Sequence, residues 1–325
     1  MAEKVKVGFL LLGGCAGCEM SVVDLSEKLV DALEHLEVVF WAPTVADVKY
    51  NELSSMEDKS IDVAFIDGMV RLDEHIHMAK IMRAKAKTLI AFGVCAALGG
   101  TAGLSSLHTK DELFEKAYKN TPSTDNPDNI FPQPRCLVDG KYDLTLPAYE
   151  DKVRTLNQIV DVDYYIGGCP PHSSHVGIAI GALVSGQLPP KGSWITNGKA
   201  VCDVCKRNPV RKNDSKENRT MLSKVLRTTE GTPDTETCLL QQGYICFGAI
   251  TQGDCGGSCL KVNIPCRGCG GPIPGNEDYG AQALSTIGSI LKDETVTAEL
   301  MSKYPNLAKF FYRYALPSGT LPKKM

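Results

Sequence analysis

The sequence lacks any apolar run approaching the ~18 residues that cross a bilayer, so a membrane role would have to come through a partner. It also lacks an excess of either charge. Lys plus Arg number 35 against 38 Asp plus Glu, and the formal net charge of -3 gives no global signal for nucleic acid. Internal repeats are missing. Residues 1–8 run into a strand-like segment with no basic n-region, twin arginine or small-residue cleavage site, so the expected location is the cytoplasm.

What is present is cysteine. The 325 residues, 43% hydrophobic and 22% charged, have room for about two domains of ~100–200 residues, and they carry 13 cysteines. In a reducing compartment so many thiols point to metal or redox chemistry rather than a disulfide framework. The odd count leaves one over.

The first half alternates β-branched apolar runs with helix-compatible spacing. Residues 5–12, 38–42, 61–66, 88–92 and 162–166 read as strands, and 20–35, 73–87 and 175–184 as helices. Right-handed crossovers then give an α/β fold, a flavodoxin-like doubly wound parallel sheet. A Pro- and Asn-rich stretch, 121–134, followed by 135–149, is too long for an ordinary connection and reads as an ordered insertion or a docking loop. Turn chemistry at 186–192 marks a boundary, dividing a flavodoxin-like domain, 1–188, from a cysteine-rich domain, 189–325. From Cys202 to Cys269 there is little periodicity and much glycine, so bound metal must replace an apolar core. Residues 276–316 regain helical spacing, with Phe310, Phe311, Tyr312 and Tyr314 as packing residues of a helical tail.

Cys15 and Cys18, in Gly13-Gly14-Cys15-Ala16-Gly17-Cys18-Glu19, follow the first strand where a dinucleotide site would want G-x-G-x-x-G. Cys95 follows the fourth strand, and Cys169, in Gly168-Cys169-Pro170-Pro171, the fifth. Parallel strands deliver these loops to one edge, so the four thiols can converge, which suits a [4Fe–4S] cluster. Read alone, Cys15/Cys18 also fits a thioredoxin-like redox pair, with Cys95 and Cys169 as buried small hydrophobes. Eight more follow: Cys202, Cys205, Cys238, Cys246, Cys255, Cys259, Cys266 and Cys269, enough for two four-cysteine sites. Structural zinc would take the same pairs and give a non-redox binding module.

In order, these motifs are C-x-x-C after strand one, a cysteine after strand four, G-C-P-P after strand five, then C-x-x-C, C-L, C-x-G-x-x-T and C-x-G-C. The set resembles the small subunits of cytoplasmic [NiFe] hydrogenases, over nearly the whole chain. The resemblance implies a proximal cluster on Cys15, Cys18, Cys95 and Cys169, a distal one on Cys202, Cys205, Cys238 and Cys246, and a medial one on Cys255, Cys259, Cys266 and Cys269. In familiar periplasmic members a histidine ligates the distal cluster and three cysteines hold a medial [3Fe–4S] cluster. Here Cys202 replaces that histidine and Cys259 adds a fourth medial thiolate, so three [4Fe–4S] clusters are expected, at lowered potential. These departures resemble the methanogen F420-non-reducing (methyl-viologen-reducing) group, whose small (gamma) subunit works with heterodisulfide reductase. The F420-reducing hydrogenase is the nearest alternative, and a quinone-oxidoreductase-type subunit should lack the eight-cysteine region.

The implied role is electron transfer. Hydrogen is split at a nickel–iron centre on a separate large subunit, and electrons pass to an iron–sulfur or flavin-bearing acceptor subunit, towards heterodisulfide reductase and ferredoxin. Among other residues, Cys136 is the unpaired thiol and an expected bystander, and Glu19 is expected to serve the helix start more than a proton relay. His172 and His175 are expected to support the helix start or orient ligands, and His35, His75, His77 and His108 have no ligand spacing. Lys206, Arg207, Arg211, Lys212, Lys216, Arg219, Lys224 and Arg227 form a basic stretch, read as a solvated face or an acceptor-docking surface.

Overall fold

The computed structural model describes residues 4–41, 48–209 and 221–320. Its centre is a six-stranded parallel sheet of β1 (Val5–Leu11), β2 (Leu36–Trp41), β3 (Ile61–Asp67), β5 (Ala86–Phe92), β9 (Tyr164–Ile166) and β10 (Ser193–Trp194). The spatial order β2-β1-β3-β5-β9-β10 extends the flavodoxin-like pattern by one strand. β3 and β5 are continuous apolar runs because helices cover both faces. One face packs Leu10, Ile66, Leu89 and Ala91; the other packs Val7, Phe9, Phe65 and Phe92.

α1 (Gly17–Val23) and α2 (Glu27–Leu33) stand where one helix over 20–35 is expected. The break falls at residues 24–26, where Ser26 has a φ of +54° and Leu25 turns inward. α3 (Tyr50–Ser55), α4 (Asp73–Lys85), α5 (Gly93–Leu98) and α7 (Ser173–Val184) complete the layers.

A 3-10 turn, Thr101–Leu107, and α6 (Lys110–Tyr118), which is capped by Thr109 and Glu112, precede the expected insertion, whose residues 121–134 form neither helix nor strand. A hairpin of β6 (Arg135–Val138) and β7 (Tyr142–Thr145) comes next, followed by β8 (Tyr149–Arg154), which pairs antiparallel with β4 (Val70–Leu72).

β10 lies beyond residue 188 and joins the sheet, and the core containing Leu10 and Leu89 continues through Leu222, Phe247, Ile287, Phe310, Phe311 and Leu316. The tail is three helices, α10 (Tyr279–Gly288), α11 (Glu294–Lys303) and α12 (Leu307–Phe311), with Asp278, Asp293 and Asn306 as N-caps. Among its described residues the cysteine-rich part has α8 (Val201–Val204) and α9 (Ser258–Lys261), and its small cluster includes Cys246 and Cys266 themselves. No helix among the described residues is long and apolar enough to cross a membrane. Ala42, Arg211, Lys212, Lys216 and Arg219 lie outside the described residues.

Candidate iron–sulfur sites

All 13 cysteines are free thiols. Cys15 sits in the turn after β1, Cys18 in the first turn of α1, Cys95 in the first turn of α5 and Cys169 after β9, all at the carboxyl edge of the sheet. Burial drives the Cys18 thiol far up, and the charges of Asp67, Cys95, Cys169 and Cys15 add to the shift. Cys95 is pushed up to about 12 by burial and by Cys169 and Cys15, and Cys169 rises by burial and by Cys15. The four sulfurs therefore lie near enough to repel one another. Gly93 shows how tight the packing is: its φ is +81°, and a Cβ there would collide with Cys18 Sγ.

The other eight fall into two groups. Cys202 is pushed up to about 12 by burial and by Cys246, Cys238 and Cys205. Cys269 is pushed up to about 11 by burial and by Cys255, Cys259 and Cys169. Cys266 rises strongly, by burial and by its neighbour Cys246, while the Thr251 hydroxyl and the Gly268 N–H act the other way.

Two contacts join the groups. The Cys266 N–H donates to Cys246 Sγ at 3.2 Å, and the Cys169 backbone lies beside Cys269, where it opposes the upward shift of that thiol. Beside the second contact, Gly167 lies so close to the Gly270 carbonyl that a Cβ would overlap it. The group of Cys255, Cys259, Cys266 and Cys269 thus lies between the other two.

Thiols grouped in fours suit a [4Fe–4S] cube, in which each thiolate has its own iron.

Cys136 stands exposed on β6. His172 caps α7 by accepting from the Ser174 N–H, and buried His175 bonds the Ile195 carbonyl through Nε2 at 2.6 Å. Glu19 is buried, with Oε1 lacking a hydrogen-bond partner among the described residues; burial raises its carboxyl and the Trp41 indole opposes the shift.

Arg207 departs from the expected solvated basic face. Its buried guanidinium bonds the carbonyls of Asp234, at 2.5 Å, and Thr237, and the Asn263 side chain. It joins the loops on either side of two cysteine groups. Sequence reading also missed Tyr279, whose buried hydroxyl bonds Thr251 Oγ1 at 2.6 Å and the Gly268 carbonyl at 3.0 Å. Thr251 itself was visible as the last letter of C-x-G-x-x-T.

The fold and the thiols at its carboxyl edge define a class. Residues 15–183 match the family model described as NADH ubiquinone oxidoreductase, 20 Kd subunit. The match stops short of the eight later cysteines, which longer relatives cover. The iron–sulfur subunit of the F420-non-reducing hydrogenase of Archaeoglobus profundus is 58% identical over 321 residues, 99% of both chains. A subunit of the F420-non-reducing hydrogenase of Methanothermobacter thermautotrophicus is 36% identical over 333 residues, 100% of this chain and 98% of the relative. A chain of the recombinant [NiFeSe] hydrogenase of Desulfovibrio vulgaris Hildenborough shares the fold, with a TM-score of 0.51, 18% identity, and coverage of 85% of this chain and 96% of that one. The chain belongs to the 20 Kd subunit family and, within it, to the iron–sulfur small subunits of F420-non-reducing hydrogenases, which transfer electrons.

Proposed function

We propose that the chain holds three [4Fe–4S] clusters and carries electrons from hydrogen oxidation at a nickel–iron large subunit to an acceptor subunit, towards heterodisulfide reductase and ferredoxin. Cys15, Cys18, Cys95 and Cys169 would hold the proximal cluster, Cys255, Cys259, Cys266 and Cys269 the medial one, and Cys202, Cys205, Cys238 and Cys246 the distal one. The observation that carries this reading is the sequence of three neighbouring thiol groups, with the Cys266 N–H donating to Cys246 Sγ across one junction and Cys169 beside Cys269 at the other.

Bound clusters supply one-electron carriers. The chain's own residues do the rest: cysteines ligate, peptide N–H groups stabilise negative charge on sulfur, and burial keeps water away. Exposed Cys15 and Cys169 mark the edge where the large subunit would sit. The relatives at 58% and 36% identity come from F420-non-reducing enzymes, which supports that acceptor route over F420 reduction.

Anaerobic iron and sulfide analysis tests the reading, since three Cys₄ cubes imply about twelve iron and about twelve sulfide per chain. Stoichiometric zinc without labile sulfide would defeat it.

A further inference from the structure

The β6–β7 hairpin is the least covered part of the described chain: every residue of both strands is exposed. Its register pairs Cys136 with Leu144 and Val138 with Tyr142, so strand alternation gathers these four apolar side chains on one face. Arg135, Leu137, Asp143 and Thr145 form the other face, where Arg135 grips Asp143 with two hydrogen bonds of 2.7 and 2.6 Å. Tyr142 and Leu144 keep 53% and 55% of their surface, and Leu146, just beyond, keeps 56%. A lone two-stranded hairpin is marginal in water, and an apolar face on one marks a contact surface.

The base of the hairpin says what covers it. Ala148, beyond Leu146, exchanges hydrogen bonds with Asp73 at the start of α4. β8 then pairs with β4, and Met69, just before β4, exchanges backbone hydrogen bonds of 3.0 and 2.9 Å with Gly13, two residues before Cys15. The hairpin therefore stands on the sheet edge that presents exposed Cys15 and Cys169.

We infer that the Cys136/Val138/Tyr142/Leu144 face of the hairpin is a second docking arm for the large subunit that closes over the proximal cysteines, seating against an apolar surface of that partner. The inference rests on the hydrogenase small-subunit reading. One partner spanning both patches covers the apolar face and the electron-entry edge together, which a second copy bound at the hairpin alone leaves open.

The test uses the complete complex, purified anaerobically through a tag on this chain, with V138D/L144D and the milder Y142S. Nickel-containing large subunit retained per chain, iron per chain and complex mass are measured. Retention should fall roughly tenfold or more in the double variant, and by less in Y142S, with iron per chain unchanged. If the double variant loses iron through misfolding, Y142S decides. Unchanged retention in an iron-replete variant overturns the inference, as does a variant that changes only the number of copies of this chain. Absence of a nickel-containing partner from the unmutated preparation defeats the small-subunit reading itself, and the docking arm with it.

Discussion

The backbone N–H of Cys266 donates to the sulfur of Cys246 at 3.2 Å, and these two residues belong to different groups of four. Cys169 lies beside Cys269 across the other junction, where its backbone opposes the upward shift of that thiol. At each junction the backbone of one group favours negative charge on a sulfur of the next. The chain order of the cysteines does not display this, because the middle group comes last in sequence.

Thr251 bears on the middle group alone. Its hydroxyl donates to the Phe247 carbonyl and shares a hydrogen bond with the Tyr279 hydroxyl, at 2.6 Å each, and its polarity beside Cys266 opposes the upward shift that burial and Cys246 give that thiol. Polar hydrogens near sulfur stabilise the more negative, reduced state. Thr251→Val should lower one of three midpoint potentials by about 40 mV, equivalent to about 1 kcal/mol for one electron. Redox titration followed by electron paramagnetic resonance reads this out, and movement of all three midpoints or none would contradict it.

Gly167→Ala places a methyl group against the Gly270 carbonyl, beside the Cys169 to Cys269 contact. Overpacking of this kind costs about 1–3 kcal/mol, and relief by separating the loops lengthens the junction. Hydrogen-dependent viologen reduction should fall while iron content holds. Gly186→Ala is the control: its φ is +68° with nothing nearby, so it carries a backbone cost of about 1 kcal/mol and no loss of turnover. Equal turnover in the two variants would remove the junction from the electron route.

Arg207→Ala strips a buried fork from the Asp234 and Thr237 carbonyls just before Cys238, and from Asn263 after α9. Leaving those groups unpaired costs about 1.5–3 kcal/mol. The expected result is selective iron loss, from about twelve towards about eight per chain if one Cys₄ site empties. Arg207→Lys should recover only part, since an ammonium cannot span three acceptors in a planar fork. Full iron loading in Arg207→Ala would return this residue to the solvated basic face.

Much of this was legible in the sequence because parallel strands announce themselves. The runs at 61–66 and 88–92 are buried on both faces, which fixed the sheet and hence the edge where Cys15, Cys18, Cys95 and Cys169 meet. β10 escaped notice because two residues, Ser193 and Trp194, carry no periodicity. The hairpin was recoverable: Asp139 and Gly140, in the three-residue loop between Val138 and Tyr142, have the positive φ, +54° and +63°, that Asp-Gly favours in hairpin turns. Thr109 and Glu112 likewise spelled a capping box for α6. Arg207 was not recoverable, because a basic residue in a basic stretch looks the same whether its partners are water or three distant acceptors.

Asp163 gives a stability test far from the cysteines, at the amino edge of β9. Burial alone would raise its carboxyl, but hydrogen bonds from Lys191 at 2.8 Å, Arg83 at 2.7 Å and the Leu89 N–H at 2.8 Å outweigh it and hold it below the ordinary 3.8. A carboxylate with a lowered native pKa binds fewer protons folded than unfolded on the acid side. Its stabilisation is complete above 3.8 and is lost as pH falls through the lowered native value. Asp163→Asn keeps the shape and removes the charge, so it should cost about 1–3 kcal/mol at neutral pH, the range for partly buried charged hydrogen bonds. Denaturant unfolding followed by tryptophan fluorescence should show parent and variant converging as the pH drops below 3.8. A gap that stays constant from neutral to acid pH would assign the loss to packing rather than to the carboxylate.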